Sequence, residues 1–539
     1  MQTVDLVSPE KLRGGFYTPE ALVKYCWTRI SELVPASGGR SLSVLEPSAG
    51  SGNFFKFLGG HPVQKCINSV VAVELLKAEA SKCKRALAIF PFESKVVNGS
   101  ILNGSRPKKR DFDVAIGNPP FVRYQFIPNS DLRGISLLAS DLGIEMTGVS
   151  NLWIPVLLSA LEALRIGGVF AFVIPTEFLT GISASVLRKW IYENVSDTQI
   201  DIFAAASFPD VLQEVLVLSG RKVKSLRSHR VKVVDRARSR KGAWIHDLDP
   251  NAFTWTYLYI RPTLWKAIEE IDFLGFTQMS ERAKLSVATV TGANQYFCVT
   301  DATVEKYNLD RWIEPLLPRS RYASGLVASV KDHSELSHTE IPRWLLNFNL
   351  SKPDPMKFAG AREYILIGEE TGLHKRYKTR IRSPWYRVPI VATGQILLSK
   401  RSHLFPRLIL NRFGGYTTDT VYSGNSHDGK ASTARAIVGT FHNSLTLLSA
   451  ELEGRSFGGG VLELVPSEIS RLRIPNCELL AKEFIELDLI AKKGSEESVE
   501  LITATNALIS RKNPGIGKSF FDNVETARQV LLTRRTIRN

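Results

Sequence analysis

Between residues 19 and 220 the chain alternates short apolar runs with stretches whose apolar residues recur every three or four positions. The short runs predict strands at Leu42–Leu45, Val70–Leu75, Lys95–Val97, Phe112–Ile116, Val169–Ile174, Gln199–Ala204 and Glu214–Leu218. Helical spacing is plain from Pro19 to Leu33, where Leu22, Tyr25, Cys26, Ile30 and Leu33 recur at helical intervals. Thr18 reads as the N-cap of that helix and Pro19 as its first residue. A second helix is predicted over Asn151–Arg165, ended by Gly167-Gly168. Strands alternating with helices in this way predict an α/β fold built on a doubly wound, parallel sheet.

After residue 220 the pattern changes. Arg221, Lys222, Lys224, Arg227, Arg230, Lys232, Arg236, Arg238, Arg240 and Lys241 are opposed only by Asp235. Such a run reads either as a solvated linker or exposed edge strand, or as a phosphate-contacting hinge between domains. From residue 246 the strand–helix rhythm gives way to aromatic residues, Arg, Pro and short extended runs, followed by two amphipathic stretches at Ala481–Lys493 and Glu496–Ser510. A basic tail with Arg528, Arg534, Arg535 and Arg538 closes the chain. The expected division is 1–245 and 246–539, since 539 residues exceed one compact domain.

Composition narrows the class. An apolar fraction of 44% and a charged fraction of 23% are ordinary for a globular protein. No apolar run approaches the roughly 20 residues of a membrane span, and the N-terminus lacks a signal-peptide layout. Cys26, Cys66, Cys83, Cys298 and Cys477 are scattered, so neither a metal site nor a disulfide framework is expected, and a cytoplasmic location without membrane partners is. The net charge of +16 favours a polyanionic partner.

Two segments carry candidate chemistry. Val44–Phe54 (VLEPSAGSGNF) follows the first strand and opens a helix, and its small residues let backbone approach a ligand closely. It lacks the Gly-Lys-Ser/Thr of a phosphate cradle. Glu74 ends the next strand, where an acid can bind ribose hydroxyls. Asn98-Gly99-Ser100-Ile101, after the third strand, is placed to grip an adenine ring. The second segment, Asn118-Pro119-Pro120-Phe121, ends the fourth strand. The Asn side-chain oxygen and the Pro119 carbonyl are acceptors, two prolines stiffen the turn, and Phe121 offers a stacking face. That set suits holding a planar amine beside a methyl donor.

In order as well as identity these motifs resemble the gamma-class, TaqI-like N6-adenine DNA methyltransferases. Gly15-Phe16-Tyr17-Thr18-Pro19 is similar to the family's N-terminal motif, Leu45–Gly52 to its cofactor loop, Glu74 to its ribose-binding acid, and Asn118–Phe121 to its catalytic tetrapeptide. Ser207-Phe208-Pro209 is similar to the later motif whose Phe stacks on the target base. Ser100 stands where the family usually has an acid, and Phe121 where Tyr is frequent.

The resemblance implies a Rossmann-like class I methyltransferase domain, mostly parallel with an antiparallel hairpin edge, followed by an α+β target-recognition domain. It implies S-adenosyl-L-methionine as cofactor, contacted by Tyr17, Thr18, Glu46, Ser48, Gly50, Gly52, Glu74, Ser100, Ile101 and Asn118. It implies catalysis by Asn118, Pro119, Pro120 and Phe121 on an adenine flipped from double-stranded DNA, stacked between Phe121 and Phe208. Val290–Asn294, Pro384–Tyr386, Thr418–Tyr422 and Gly454–Leu464 resemble features of target-recognition domains, and Arg376, Lys378, Arg380, Arg382 and Arg387 among Tyr377, Trp385 and Tyr386 suit DNA contacts. A monomer serving a restriction–modification system, with a cognate endonuclease as a separate protein, is the expected setting. The tetrapeptide also suits methylation of guanine N2 in RNA or of a glutamine amide, and the fold could serve a non-catalytic DNA-binding specificity subunit; the long basic C-terminal region favours the DNA enzyme.

Overall fold

The computed structural model describes residues 18–34, 41–103, 111–146, 151–203, 214–236, 242–269, 275–457, 459–494 and 499–536, in two compact units that divide at Pro262. Tyr17 and Phe208 lie outside the described residues. Among the described residues no helix is long and apolar enough to cross a membrane.

The first unit is a nine-stranded sheet. Its strands are β1 (Leu42–Glu46), β2 (Ile67–Glu74), β3 (Glu93–Asn98), β4 (Phe112–Gly117), β5 (Leu164–Pro175), β6 (Val195–Ile202), β7 (Val215–Lys222), β8 (Arg230–Asp235) and β9 (Gly242–Asp247). Their order is β3-β2-β1-β4-β5-β7-β6-β8-β9. The first five are parallel, and β7 inserts antiparallel between β5 and β6. This is the class I methyltransferase arrangement, mostly parallel with an antiparallel edge. All six residues of β4 are buried, as befits a central strand covered on both faces. Helix α1 (Glu20–Leu33) supplies one cover through Leu22, Val23, Cys26, Trp27, Ile30 and Leu33, packed with Val44, Val114 and Ile116.

Three expectations shift. Helix α1 begins at Glu20 with no side-chain cap; Thr18 is buried and its hydroxyl is engaged elsewhere. The second helix covers only Trp153–Ala163, because β5 already starts at Leu164 and runs through the glycines. The basic stretch is no hinge between units. β8 and β9 extend the same sheet, and the alternation of β8 (Val231, Val233 and Asp235 buried; Arg230 and Lys232 exposed) marks a strand with one face covered. The unit runs on past β9 because Trp244 Nε1 donates to the Leu258 carbonyl (3.0 Å) and His246 Nε2 to that of Ile260 (2.7 Å), while Trp255 N–H donates to Leu179 (2.7 Å).

The second unit holds a five-stranded sheet, ordered 283–287, 421–426, 396–399, 408–411, 327–328, antiparallel except for its last pair. Ile396, Leu398 and Leu408 pack there with Ile437 and Phe441 of helix Ala431–Phe441 and with the helices Ala481–Lys493 and Val499–Lys512. The basic tail is a helix, Lys518–Thr536. Arg535 is buried in it and paired with buried Glu451 (2.6 Å), and Arg528 is buried against Glu525 (2.6 Å). A separate aromatic core gathers Tyr296, Phe297, Trp312, Phe348, Trp385 and Tyr386.

Candidate active site

The site lies at the C-terminal ends of β1, β2 and β4, where an open α/β sheet leaves a crevice. After β1 the chain turns through Gly50 (φ +53°) and Gly52 (φ +81°), left-handed conformations that favour glycine. A Cβ at Gly52 would also lie 3.2 Å from Cys83 Cα and Sγ in helix α3, Lys77–Leu87. The short helix α2 (Asn53–Lys56) that follows is tied to α1 by Trp27 Nε1 donating to the Phe54 carbonyl (2.7 Å).

Glu74 fastens this loop. Its Oε2 accepts from Gly50 N–H and its Oε1 from Leu76 N–H, each at 2.8 Å. Burial nevertheless raises its pKa, the backbone donors only offsetting it. A carboxylate has further lone pairs for the two hydroxyls of a ribose. Glu46 is more extreme: it is fully buried, its Oε2 has no partner, and its pKa is pushed well above the carboxylate range by burial and then by Glu74. Burial, Glu46 and Glu74 together push the Cys83 thiol up to about 12. The loop therefore sets two carboxyls whose charge burial disfavours beside left-handed glycines, so that a ligand bringing positive charge would favour their ionised forms. An α-amino acid sulfonium, which carries two positive centres, fits that donor and acceptor set.

The Asn118 turn meets the loop through two bonds. Ser48 Oγ donates to the Asn118 carbonyl (3.1 Å), and Asn118 Nδ2 donates to Thr18 Oγ1 (3.0 Å). The second bond sets the amide's orientation: its nitrogen is engaged, and Oδ1 is left buried without a partner. Val122 N–H donates to the Pro120 carbonyl (3.1 Å), whereas among the described residues no donor reaches the Pro119 carbonyl. Asn118 Oδ1 and the Pro119 carbonyl, acceptors on consecutive residues, thus make no hydrogen bond among the described residues. Phe121 is half-buried and rests on the core below.

Ser100 and Ile101 sit at the end of β3, as the sequence placed them, but the Ser100 hydroxyl accepts from Leu102 N–H (3.3 Å) and caps its own turn. Ile101 is buried. Over this turn passes helix α4 (Asn129–Leu142), with Gly134 against the Leu102 carbonyl. One turn earlier Asp131 is buried with Oδ1 unpartnered, a sealed acceptor that the sequence reading did not single out. Its only signal is an acid in the first turn of an amphipathic helix. Among the described residues there is no group of three His, Cys, Asp or Glu side chains arranged to hold a metal.

In the second unit, the residues expected to meet DNA separate. Trp385 and Tyr386 are core residues, and Arg382 donates to the Val290 (2.8 Å) and Thr291 (2.7 Å) carbonyls, so these brace the fold instead of reading bases. Arg376, Lys378 and Arg380 remain exposed around Tyr377, whose ring lies 5.8 Å from Lys378 Nζ and 5.6 Å from the Arg380 guanidinium.

Residues 64–208 match the family described as Eco57I restriction-modification methylase, and residues 252–509 match the type II methyltransferase M.Eco57I C-terminal domain. The chain is 22% identical over 491 residues to the type II methyltransferase M.AccI of Acinetobacter calcoaceticus, covering 87% of this chain and 85% of that one. It is 22% identical over 478 residues to M.XamI of Xanthomonas campestris pv. amaranthicola, covering 87% and 86%. Its fold is similar to that of the type IIL restriction-modification enzyme MmeI, solved in complex with DNA, with a TM-score of 0.61 at 12% identity over 98% of this chain and 80% of that one.

Proposed function

Because the chain belongs to the Eco57I-like family of type II restriction–modification methyltransferases, we propose that it methylates N6 of adenine at a specific site in duplex DNA. The observation that carries this reading is the Asn118 turn, where Thr18 holds the amide nitrogen, Oδ1 is buried without a partner, and no hydrogen bond among the described residues takes up the carbonyl of the next residue.

S-adenosyl-L-methionine is the cofactor that the class I fold and these relatives imply, and when bound it supplies a methyl group on a positively charged sulfur. Glu46, Gly50, Gly52 and Glu74 would hold it, with Ser48 joining the loop to the catalytic turn. The adenine amine is a poor nucleophile while its lone pair is delocalised into the ring. Asn118 Oδ1 and the Pro119 carbonyl would each accept one amine hydrogen and so favour a pyramidal nitrogen. Those two bonds strengthen as nitrogen gains positive charge, which is the condition for accelerating the step. Neither acceptor is a strong base; the amine nitrogen keeps both protons through the transfer, and the methylated nitrogen, now positively charged, loses one to solvent afterwards.

The base must first leave the helix stack, at a cost of a few kcal/mol. Phe121 would recover part of this by stacking, worth roughly 1–3 kcal/mol, and Phe208 would form the opposite wall. We assign the catalytic role to the first unit and target recognition to the second, where the exposed Arg376, Lys378 and Arg380 suit phosphate contacts. The enzyme would act as a monomer beside a separate cognate endonuclease.

Tritiated methyl transfer to unmethylated duplex DNA, followed by nucleoside analysis, tests the reading. Label in N6-methyl-2′-deoxyadenosine is expected; label in deoxycytidine, or only in RNA or protein substrates, refutes it.

A further inference from the structure

The basic stretch after residue 220 takes no part in the site above. Its loop 223–229 and strand β8 wall a groove of about 860 Å³, lined on the other side by the end of α1 and the start of β6. The groove sits where β6 and β8 begin and β7 ends. It is therefore at the opposite edge of the sheet from the Asn118 turn, which follows the C-terminal end of β4. One eight-residue strand separates the two edges by roughly 26 Å.

The groove's floor is irregular. β6 slips register between Ser196 and Gln199, and Asp197 there has φ +53°, a left-handed conformation that a non-glycine residue holds only when its surroundings dictate it. Arg221 dictates it in part, donating from Nε to Asp197 Oδ2 (3.3 Å) and from Nη1 to the Gly167 carbonyl (3.1 Å).

Charge is unbalanced. The lining carries the cations Arg29, Arg221, Arg227, Arg230 and Lys232 against two carboxylates, Glu32 and Asp197. Both carboxylates are already paired, with Arg29 and Arg221. Arg230 approaches Asp247 at 3.5 Å, but both side chains are well exposed, where such pairs are weak. Arg227 and Lys232 have no carboxylate within ion-pair reach among the described residues. Ser225 and Ser228 add hydroxyls from the same loop. Guanidinium forks, a lysine and hydroxyls on a concave surface are the set that recognises phosphate, and the groove is wide enough for more than one.

We infer that this groove binds adjacent phosphates. Their source is either the backbone of DNA flanking the methylated site, which rests on the reading of the chain as a DNA enzyme, or the polyphosphate of a free nucleotide, which does not. The full chain and its Arg227→Glu/Lys232→Glu variant decide between them. Binding to a duplex of about 30 base pairs, three turns of helix, is followed by fluorescence anisotropy from about 50 to 200 mM salt. Tripolyphosphate binding is followed by calorimetry. S-adenosyl-L-methionine affinity and melting temperature serve as controls for folding, and Arg227→Gln/Lys232→Gln replaces the reversal variant if that one does not fold.

If DNA fills the groove, the slope of log K against log salt becomes shallower by about 1.8 in the variant, at roughly 0.9 for each phosphate no longer neutralised. If a free polyphosphate fills it, wild type binds tripolyphosphate, the variant binds it at least about tenfold more weakly (a difference of about 1.4 kcal/mol), and the DNA slope is unchanged. A folded variant that matches wild type in both overturns the inference. Loss of the methylation reading is seen separately, as wild-type protein that transfers no methyl to DNA, and leaves the tripolyphosphate arm intact.

Discussion

Replacing Thr18 by Val tests how the Asn118 amide is aimed. Thr18 is buried, and its Oγ1 accepts from Asn118 Nδ2 at 3.0 Å, which turns Oδ1 toward the unpartnered side. Valine keeps the shape and removes the acceptor. Asn118 Nδ2 then loses its partner, and the amide can rotate until its nitrogen faces the substrate amine, a donor against a donor. A single hydrogen bond of this kind contributes about 0.5–1.5 kcal/mol, or about 2- to 13-fold in rate. The loss belongs in methyl transfer, because the bond orients a group that acts there, and not in cofactor affinity. Single-turnover methylation is therefore expected to slow by that factor in Thr18→Val, with the Kd for S-adenosyl-L-methionine within about twofold of wild type (~0.4 kcal/mol). Thr18→Ser, which restores the hydroxyl, should recover the rate. Wild-type speed in Thr18→Val, or a variant that loses cofactor affinity at full rate, would refute the reasoning and make Thr18 a direct cofactor contact instead.

Glu46→Gln should change how stability depends on pH. Glu46 has its pKa raised in the fold, so the native state holds a proton that the unfolded chain releases; stability then falls as pH rises from about 4.5. The variant should melt above wild type near pH 8, converge with it near pH 4, and bind S-adenosyl-L-methionine more weakly; parallel melting profiles would count against a sealed carboxylate. Gly52→Ala forces a side chain into a left-handed turn against the Cys83 backbone and should cost roughly 1–3 kcal/mol in denaturant unfolding, whereas a change under about 0.5 kcal/mol, the scale of a surface substitution, would contradict the packing described. Arg535→Ala leaves Glu451 buried without its partner and should cost about 3–5 kcal/mol, measured the same way; a neutral result would mean that the C-terminal helix is not held by this pair.

Much of the first unit was legible because its central strands are buried on both faces. β1, β4 and β5 read as mainly apolar runs, interrupted by Ser43, Asp113 and Arg165, and all seven expected strands lie where those runs are, though their ends move by several residues. The edge was harder to read. In β8 the covered residues are interleaved with Arg230 and Lys232, so its period of two is masked by charge. The tail shows a related limit: Arg528 has Glu525 three positions before it on the same helix, but only the fold brings Glu451 to Arg535 and buries both arginines. Trp385 and Tyr386, read as candidate DNA contacts, are core residues because Tyr296, Phe297 and Phe348 close over them from distant positions. The order of the site motifs was visible, but the partners that aim them were not. Thr18 lies a hundred positions from Asn118, and no local pattern links a residue before a helix to an amide after the fourth strand.

The account stands most directly on Asn118 as an acceptor for a reacting amine. Single-turnover methyl transfer to duplex DNA by wild type and by Asn118→Ala, with cofactor Kd measured on the same samples, examines it. Removing that acceptor should slow the step by about 10²–10³-fold while leaving the Kd within a few-fold, and the wild-type product should be N6-methyladenine. A variant within tenfold of wild type, or a product methylated at another atom, would contradict it.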